Sequence, residues 1–319
     1  MITGKRILIT GGAGFIASHI IERLIDSNEI TVFDNLQRNA IKYTSMLSHK
    51  NLRFMQGDVL DASAVADAMM GASVVIHCAA IAGIYSVGKR PTMTIKVNLI
   101  GTLNTLEAAV KNNVELFIDF STSEVYGPHV YKGTETDPTT QGPVGERRWT
   151  YAVSKLAAEH LSHSYCEEFG LPVITVRPFN VYGPRQIGEG AIREMVLSAL
   201  KGTPITLYGG GTQIRAWCYV DDFVDGIMLC LEKPEAKGKV FNLGNPLGTA
   251  ANINLANAII RLAKSRSTIV HKPHPGPEVE IRVPSIDRAQ IILGYEPKID
   301  LEAGIVRAIE WYASNIEGV

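Results

Sequence analysis

The chain alternates short apolar runs, each bounded by Gly, Asp or Asn, with longer stretches whose apolar residues recur at helical spacing. This alternation predicts parallel βαβ units, because a helix must carry the chain back before the next parallel strand can begin. Strands are predicted near residues 5–10, 29–34, 52–56, 73–78, 115–121, 173–177 and 239–243. Seven such strands make a doubly wound α/β sheet with helices on both faces.

A glycine-rich turn, residues 10–17, follows the first predicted strand and opens the first predicted helix. Gly11 and Gly14 form the turn, and Phe15 and Ile16 begin the helix. Such a turn brings backbone N–H groups and a helix N-terminus to a pyrophosphate. The context therefore predicts a Rossmann-type dinucleotide site rather than a glycine turn without a ligand.

Asp34 ends the second predicted strand, at the position where a carboxylate accepts a hydrogen bond from the ribose 2′-hydroxyl. The same carboxylate would repel a 2′-phosphate, so NAD is predicted over NADP, although Arg38 lies close by and would soften the preference. Ligands of open α/β sheets bind at the carboxyl ends of the strands. Further cofactor contacts are therefore predicted at Asn35, Asp58, Val59, Ala79 and Ala80.

The sequence changes character after about Pro178, where Gly and Pro punctuate shorter elements. We expect an NAD-binding domain over residues 1–178 and a smaller, mainly substrate-binding domain over residues 179–319. The strand predicted near residues 239–243 would return to the first domain.

Charge and cysteine usage exclude several other classes of protein. The 31 Lys and Arg residues balance 32 Asp and Glu residues, which argues against a nucleic-acid partner. The 4 cysteines are far apart, without a C-x-x-C pair, so neither a metal site nor a disulfide framework is predicted. No apolar run reaches membrane-spanning length, and we expect a cytoplasmic protein.

Tyr151 and Lys155 lie one turn apart at the start of a predicted helix, so their side chains share a face. A free tyrosine titrates near pH ~10, and a nearby ammonium group would favour the phenolate needed for a general base. At the end of the fifth strand, Ser121 or Thr122 could hydrogen-bond a substrate hydroxyl. Glu124 is either a general acid/base or an anchor of its loop.

From about residue 5 to residue 312, the chain resembles the NAD-dependent epimerase/dehydratase family of nucleotide-sugar enzymes. The matching motifs are Gly11-Gly-Ala-Gly-Phe-Ile16, Gly57-Asp-Val59, His77-Cys-Ala-Ala80, Ser121-Thr-Ser-Glu-Val-Tyr-Gly127, Tyr151-x-x-x-Lys155, Arg177-Pro-Phe-Asn-Val-Tyr-Gly-Pro-Arg185 and Cys218-Tyr-Val-Asp-Asp222. The resemblance implies hydride transfer from sugar C4 to NAD and a 4-keto intermediate. It also implies catalytic roles for Tyr151, Lys155, Thr122, Ser123 and Glu124.

Residues 142–151 and 280–286 are similar to the decarboxylase domain of the bacterial aminoarabinose pathway and to plant UDP-apiose/xylose synthases. Thr122-Ser-Glu124 also resembles UDP-glucuronate decarboxylases and GDP-mannose 4,6-dehydratases, whereas dTDP-glucose 4,6-dehydratases have Asp where Ser123 stands. The leading hypothesis is therefore a UDP-glucuronate decarboxylase. A nucleotide-sugar 4,6-dehydratase and a 4-epimerase are the alternatives.

The resemblance also implies a set of substrate-binding residues in the second half of the chain. The positions that match a nucleotide and phosphate site are Asn180, Arg185, Tyr208, Gln213 and Arg215. Arg282 matches a residue that handles a substrate carboxylate, or else it holds the diphosphate. Arg215 would donate to the diphosphate, unless it forms a surface ion pair with Asp221 or Asp222.

Family resemblance implies a homodimer in which helices near residues 93–111 and 151–169 pack as a four-helix interface. The class of function that competes with an enzyme is an NAD-sensing binding protein. Members of the wider superfamily of that kind have lost the tyrosine or the lysine, and both Tyr151 and Lys155 are present here.

Overall fold

The computed structural model describes residues 2–274 and 276–318. The strands in these residues are β1 Arg6–Thr10, β2 Glu29–Asp34, β3 Leu52–Gln56, β4 Val74–His77, β5 Leu116–Phe120, β6 His129–Gly133, β7 Val173–Pro178, β8 Val181–Tyr182, β9 Ile205–Tyr208, β10 Ile214–Ala216, β11 Cys218–Tyr219, β12 Val240–Leu243, β13 Thr249–Ala251, β14 Ile269–Lys272 and β15 Ile281–Pro284. The α-helices are α1 Phe15–Leu24, α2 Ala62–Met69, α3 Ile84–Lys89, α4 Pro91–Ile95, α5 Gly101–Lys111, α6 Thr150–Phe169, α7 Ala191–Lys201, α8 Val220–Glu232, α9 Asn252–Leu262, α10 Asp287–Leu293 and α11 Leu301–Ser314.

Seven parallel strands form the main sheet in the order β12-β7-β5-β4-β1-β2-β3. They are the seven strands that the apolar runs predict, so the predicted doubly wound α/β sheet is confirmed. The chain proceeds from β1 to β3 on one side and then crosses to β4 on the other side of β1. The strand order therefore reverses between β1 and β4, and ligands bind beyond the carboxyl ends at such a point.

Side chains alternate across the main sheet and supply a core on each face. In β1, Ile7 and Ile9 pack with residues of α1 and α8 on one face, whereas Leu8 packs with α2 and α5 on the other. All five residues of β5 are buried, because helices cover both of its faces. This explains why the central strands appear in the sequence as nearly continuous apolar runs.

A smaller lobe stands at the carboxyl ends of the main sheet. Its four-stranded sheet has the order β13-β10-β15-β6, in which β6 pairs in parallel with β15. β6 precedes residue 178, so this sheet recruits a segment from the half of the chain that we assign to the NAD-binding domain. In the opposite direction, β12 returns to the main sheet beside β7, as the sequence predicts.

A long helix runs from α4 through a π-helical turn, Lys96–Ile100, into α5. Asn98 lies in this turn and bonds both the backbone nitrogen (2.8 Å) and oxygen (3.1 Å) of Ile81, and the Ser154 hydroxyl (3.0 Å). These bonds fix the loop after β4 against the start of α6. Within residues 2–274 and 276–318, none of the helices combines the length and apolar character that crossing a membrane requires.

Candidate active site

The turn between β1 and α1 has the shape of an anion site. Gly11 has a φ of +67°, and a Cβ there would lie 2.6 Å from the backbone nitrogen of Ala79, so only glycine allows the two loops to approach this closely. Gly14 caps α1 without a side chain. The first amides of α1 have no carbonyl partner within the helix, and they remain available to a phosphate.

A cavity of about 490 Å³ opens beside this turn at the carboxyl ends of the central strands. Its walls include the predicted cofactor residues Gly11, Gly14, Phe15, Ile16, Asp34, Asn35, Val59, Ala79, Ala80, Tyr151 and Lys155. Asp58 is not part of the wall. Its carboxylate accepts from the Leu60 backbone at 3.0 Å and lies 3.5 Å from the Asn35 amide nitrogen.

Asp34 is buried at the end of β2, where its carboxylate accepts from the backbone nitrogens of Ala13 (3.0 Å) and Leu36 (2.6 Å). Burial raises the pKa of Asp34, and these two bonds partly oppose that effect. A carboxylate has further lone pairs for a ribose hydroxyl. The Arg38 guanidinium is held by the Ala82 carbonyl at 2.8 Å. The narrow glycine turn, the free helix amides and this carboxylate together fit NAD.

Tyr151 and Lys155 occupy the first two turns of α6, and both line the cavity. Burial raises the pKa of Tyr151 to about 12, although a hydrogen bond with Thr122 lowers it. Lys155 is not among the groups with the largest influence on this pKa. Since the tyrosine is protonated near neutrality in this setting, the added positive charge of a nicotinamide ring would be needed to make it a base.

Lys155 is buried beside Asp119 of β5. Neither carboxylate oxygen of Asp119 has a hydrogen-bond partner in the described part of the chain. Burial raises the pKa of Asp119, and the Lys155 charge opposes that change. A buried carboxylate without an ion pair is costly, and the Lys155 charge and the nearby Ser162 hydroxyl both lower the pKa of Asp119.

The hydroxyl groups after β5 have different partners. Ser121 donates to the Glu159 carboxylate, which also binds Arg177, so its hydroxyl proton is not free for a substrate. Thr122 instead faces Tyr151, and it accepts from the Glu124 backbone nitrogen at 3.2 Å. Of the two hydroxyls that the sequence offers, Thr122 is the one placed beside the tyrosine. Ser123 is buried and lies outside the cavity wall.

Glu124 lies among three arginines. Arg148 donates to one of its carboxylate oxygens at 3.0 Å and lies 2.7 Å from the other as an ion pair. Arg282 donates to the first of these oxygens and to the Gly127 carbonyl. Burial alone would raise the pKa of Glu124, but Arg282 and Arg148 outweigh burial and lower it to about 2. Glu124 is therefore ionised at neutral pH, and it cannot serve as a proton donor in this state.

Arg215 is the third arginine of this group, because β10 and β15 pair in parallel with Arg215 opposite Arg282. Burial and, to a smaller extent, the nearby Arg282 lower the pKa of Arg215 to about 10. Its guanidinium donates to the Val279 carbonyl at 2.6 Å, so the ion pair with Asp221 or Asp222 that the sequence left open does not form. We call Glu124, Arg148, Arg215 and Arg282 the arginine cluster.

Three of the predicted substrate residues are directed elsewhere. The Arg185 guanidinium binds Glu22 (2.6 Å) and His19 (3.2 Å) of α1. Asn180 donates to the Ala216 carbonyl at 3.0 Å, and Gln213 donates to the Tyr208 carbonyl at 3.0 Å. These side chains hold loops in place and, like the residues of the arginine cluster, do not line the cofactor cavity.

Tyr208, the remaining member of that set, lies at the surface beside the cavity loops. Its hydroxyl is 2.6 Å from the hydroxyl of Tyr85, which lies in the first turn of α3. Sequence reasoning missed Tyr85, and it also missed Arg148. Arg148 lies within the 142–151 segment, three residues before Tyr151. That spacing places the two side chains near each other, and it is the sequence signal that could have identified Arg148.

A family model described as the NAD dependent epimerase/dehydratase family matches residues 7–244. The chain is 33% identical over 318 residues to a UDP-N-acetyl-alpha-D-glucosaminuronate decarboxylase of Bacillus cytotoxicus, covering 97% of this chain and 98% of that protein. It is 34% identical over 321 residues to UDP-glucuronic acid decarboxylase 1 of Danio rerio, covering 98% and 74%.

Solved structures are also similar along the whole chain. The UDP-glucuronic acid 4-epimerase from Bacillus cereus, in complex with UDP-glucuronic acid and NAD, superposes with a TM-score of 0.89 at 28% identity. The superposition covers 97% of this chain and 99% of that one.

Proposed function

Because the chain belongs to the NAD-dependent epimerase/dehydratase family, we propose that it decarboxylates UDP-glucuronate through oxidation at C4. It is an NAD-dependent enzyme of nucleotide-sugar metabolism, as the sequence predicts. The two curated relatives described above are named as decarboxylases of UDP-linked hexuronates. The observation that carries the proposal is the arginine cluster next to Tyr151.

Three guanidinium groups surround one carboxylate in the arginine cluster, which leaves an excess of positive charge in a mostly buried place. The cluster adjoins the catalytic residues, because Glu124 and Arg282 both influence the pKa of Tyr151. Buried cations require anionic partners. The diphosphate and the carboxylate of UDP-glucuronate supply such charges, whereas the sugar ring of a neutral hexose supplies none.

In the proposed reaction Tyr151 accepts the proton of the sugar 4-hydroxyl, and Thr122 orients the same oxygen. NAD, when bound by the residues of the cavity, supplies the acceptor for the C4 hydride and later returns it. The C4 ketone stabilises the electron pair that remains when the carboxylate leaves C5 as carbon dioxide. Decarboxylation of the anion therefore takes up one proton, at C5, and the 4-hydroxyl is restored when Tyr151 returns its proton.

We propose that Glu124 orders Arg148 and Arg282 rather than donating a proton, since its low pKa keeps it ionised. Arg282 and Arg148 would hold the carboxylate of the sugar in a fixed direction, and Arg215 would face the diphosphate. A carboxylate held in one direction reaches the geometry for departure more often than a freely rotating one.

We also propose a homodimer, in line with the family resemblance. Met93, Ile95 and Ile100 on the long helix and Val153 on α6 are each between 40% and 46% exposed. Apolar side chains on the two helices that the resemblance assigns to the interface support the proposal. Light scattering of the purified protein at several concentrations tests it, and a monomer at every concentration would contradict it.

The experiment for the reaction is mass spectrometry of products after the protein and NAD are incubated with one nucleotide sugar at a time. UDP-glucuronate, UDP-N-acetylglucosaminuronate and UDP-glucose are the substrates, and the Tyr151→Phe protein is the matched control. Loss of carbon dioxide from UDP-glucuronate in the wild type alone is the expected result.

Other products would contradict the proposal in distinct ways. Loss of water from UDP-glucose would identify a dehydratase, and an unchanged mass with altered retention would identify an epimerase. Decarboxylation of UDP-N-acetylglucosaminuronate alone would support the proposed type of reaction but would contradict the proposed substrate.

A further inference from the structure

The segment of residues 183–190, which we call the crossing segment, connects β8 to α7 and passes along the cofactor cavity. Gln186, Ile187 and Glu189 of this segment contribute to the cavity wall. They face residues of the NAD-binding domain, although they come after residue 178 in sequence. The crossing segment thus closes one side of the cavity.

A single carboxylate fastens the crossing segment to the first turn of α3. Glu189 accepts hydrogen bonds from the backbone nitrogens of Tyr85 (2.6 Å) and Ser86 (2.9 Å) and from the Ser86 hydroxyl (2.5 Å). It also lies 3.5 Å from the Arg38 guanidinium. The Glu189 side chain is only 23% exposed, so water competes weakly for these bonds.

A glycine with a positive φ angle lies on each side of this contact. Gly83 has a φ of +102°, and a Cβ there would lie 2.6 Å from the Glu189 carboxyl group. Gly188 has a φ of +88°, and a Cβ there would lie 2.8 Å from the Arg38 side chain. Any larger residue at position 83 would therefore push the carboxylate out of its place.

A second contact joins the same turn of α3 to the smaller lobe. The Tyr85 hydroxyl lies 2.6 Å from the Tyr208 hydroxyl, and Arg38 donates to the Ala82 carbonyl at 2.8 Å. Residues 82–86, which run from the loop after β4 into the first turn of α3, are therefore held by the crossing segment, by Tyr208 of β9 and by Arg38 at once.

We propose that Glu189 retains the cofactor by holding the crossing segment against residues 82–86. NAD then leaves only after the hydrogen bonds between Glu189 and Tyr85 and Ser86 break. Glu189 is a positioning residue in this proposal, since it acts through residues 82–86. The inference rests on the NAD site of the proposed function, but it does not depend on which sugar is the substrate.

The test is the rate at which NADH leaves the loaded protein, followed by its fluorescence after mixing with excess NAD. Glu189→Ala should accelerate release at least tenfold, equivalent to about 1.4 kcal/mol. Gly83→Ala should do the same from the opposite side of the contact. Glu189→Gln keeps one acceptor oxygen, and its release rate should lie between those of Glu189→Ala and the wild type.

Two control variants match these changes. Gly145 has a φ of +97° and nothing within 4 Å of its added Cβ, so Gly145→Ala brings the same backbone strain without touching Glu189. Glu194→Ala removes an exposed acid from α7, five residues away. Both should release NADH within twofold of the wild-type rate.

Wild-type release from Glu189→Ala would overturn the proposal. Faster release in the two controls as well, together with lower melting temperatures of the cofactor-free proteins, would indicate general loosening and would also overturn it. Neither measurement uses a sugar nucleotide. A protein that fails to decarboxylate UDP-glucuronate can therefore still support the role of Glu189, and the two proposals fail separately.

Discussion

Replacement of Glu124 by Gln tests whether the ionised Glu124 carboxylate stabilises the arginine cluster. Arg148 and Arg282 hold the carboxylate, and although burial opposes them, they lower its pKa from 4.5 to about 2. At about 1.36 kcal/mol per pKa unit, a shift of this size corresponds to roughly 3 kcal/mol of folding stability at neutral pH. Because glutamine keeps an acceptor oxygen, Glu124→Gln should cost up to about 3 kcal/mol.

The dependence on pH follows from the direction of the shift. The folded-state pKa of Glu124 is depressed, so the stabilisation is present above pH 4.5 and is lost as the pH falls towards about 2. The difference between wild type and Glu124→Gln should therefore be largest at pH 7. It should fall to less than roughly half of that value by pH 3.

Urea unfolding of the cofactor-free proteins at several pH values from 7 to 3 measures this difference. Glu280 is the matched control, because its side chain is 76% exposed and its replacement by Gln should change the unfolding free energy by less than about 0.5 kcal/mol. Equal stability of Glu124→Gln and wild type at pH 7 would refute the electrostatic reasoning. A difference that does not change with pH would refute it as well.

Three further variants separate the roles of other residues. Tyr151→Phe should still bind NAD by calorimetry but yield no product, and wild-type turnover would rule out Tyr151 as the base. Asp34→Ala should lower the ratio of the NAD affinity to the NADP affinity. An unchanged ratio would mean that this carboxylate does not contact the ribose. Arg185→Met should leave the KM for the sugar nucleotide unchanged and lower the unfolding free energy by about 1–2 kcal/mol through loss of its bonds to α1, and a raised KM would show that Arg185 does reach the substrate.

The main sheet could be predicted because strands that are buried on both faces consist almost entirely of apolar residues. The five residues of β5 are all buried, and four of them are apolar. The close approach of Gly11 to Ala79 likewise requires a particular residue type. By contrast, the exposed positions of β6 show no apolar run, and the strand exists because β15 pairs with it.

The sequence indicates those contacts that depend on local spacing and gives no sign of those that depend on distant pairing. Tyr151 and Lys155 share a helical face, so their placement follows from one turn of helix. Glu189 meets Ser86 more than 100 positions away, and no local pattern marks such a contact. The family resemblance places Arg185 at the substrate. In the structure its backbone has a φ of +65°, and its side chain binds Glu22 of α1.

The pairing of β6 with β15 has a consequence for synthesis of the chain. Ile281 pairs with His129, so β6 leaves the ribosome roughly 150 residues before its neighbour. During that interval the nascent chain exposes a strand edge, which is a hazard for association with other chains. Arrest of translation between β12 and β15 should therefore give a protease-resistant first half with an unprotected β6. Deletion from the carboxyl terminus should remove the smaller sheet as a unit instead of shortening it by degrees.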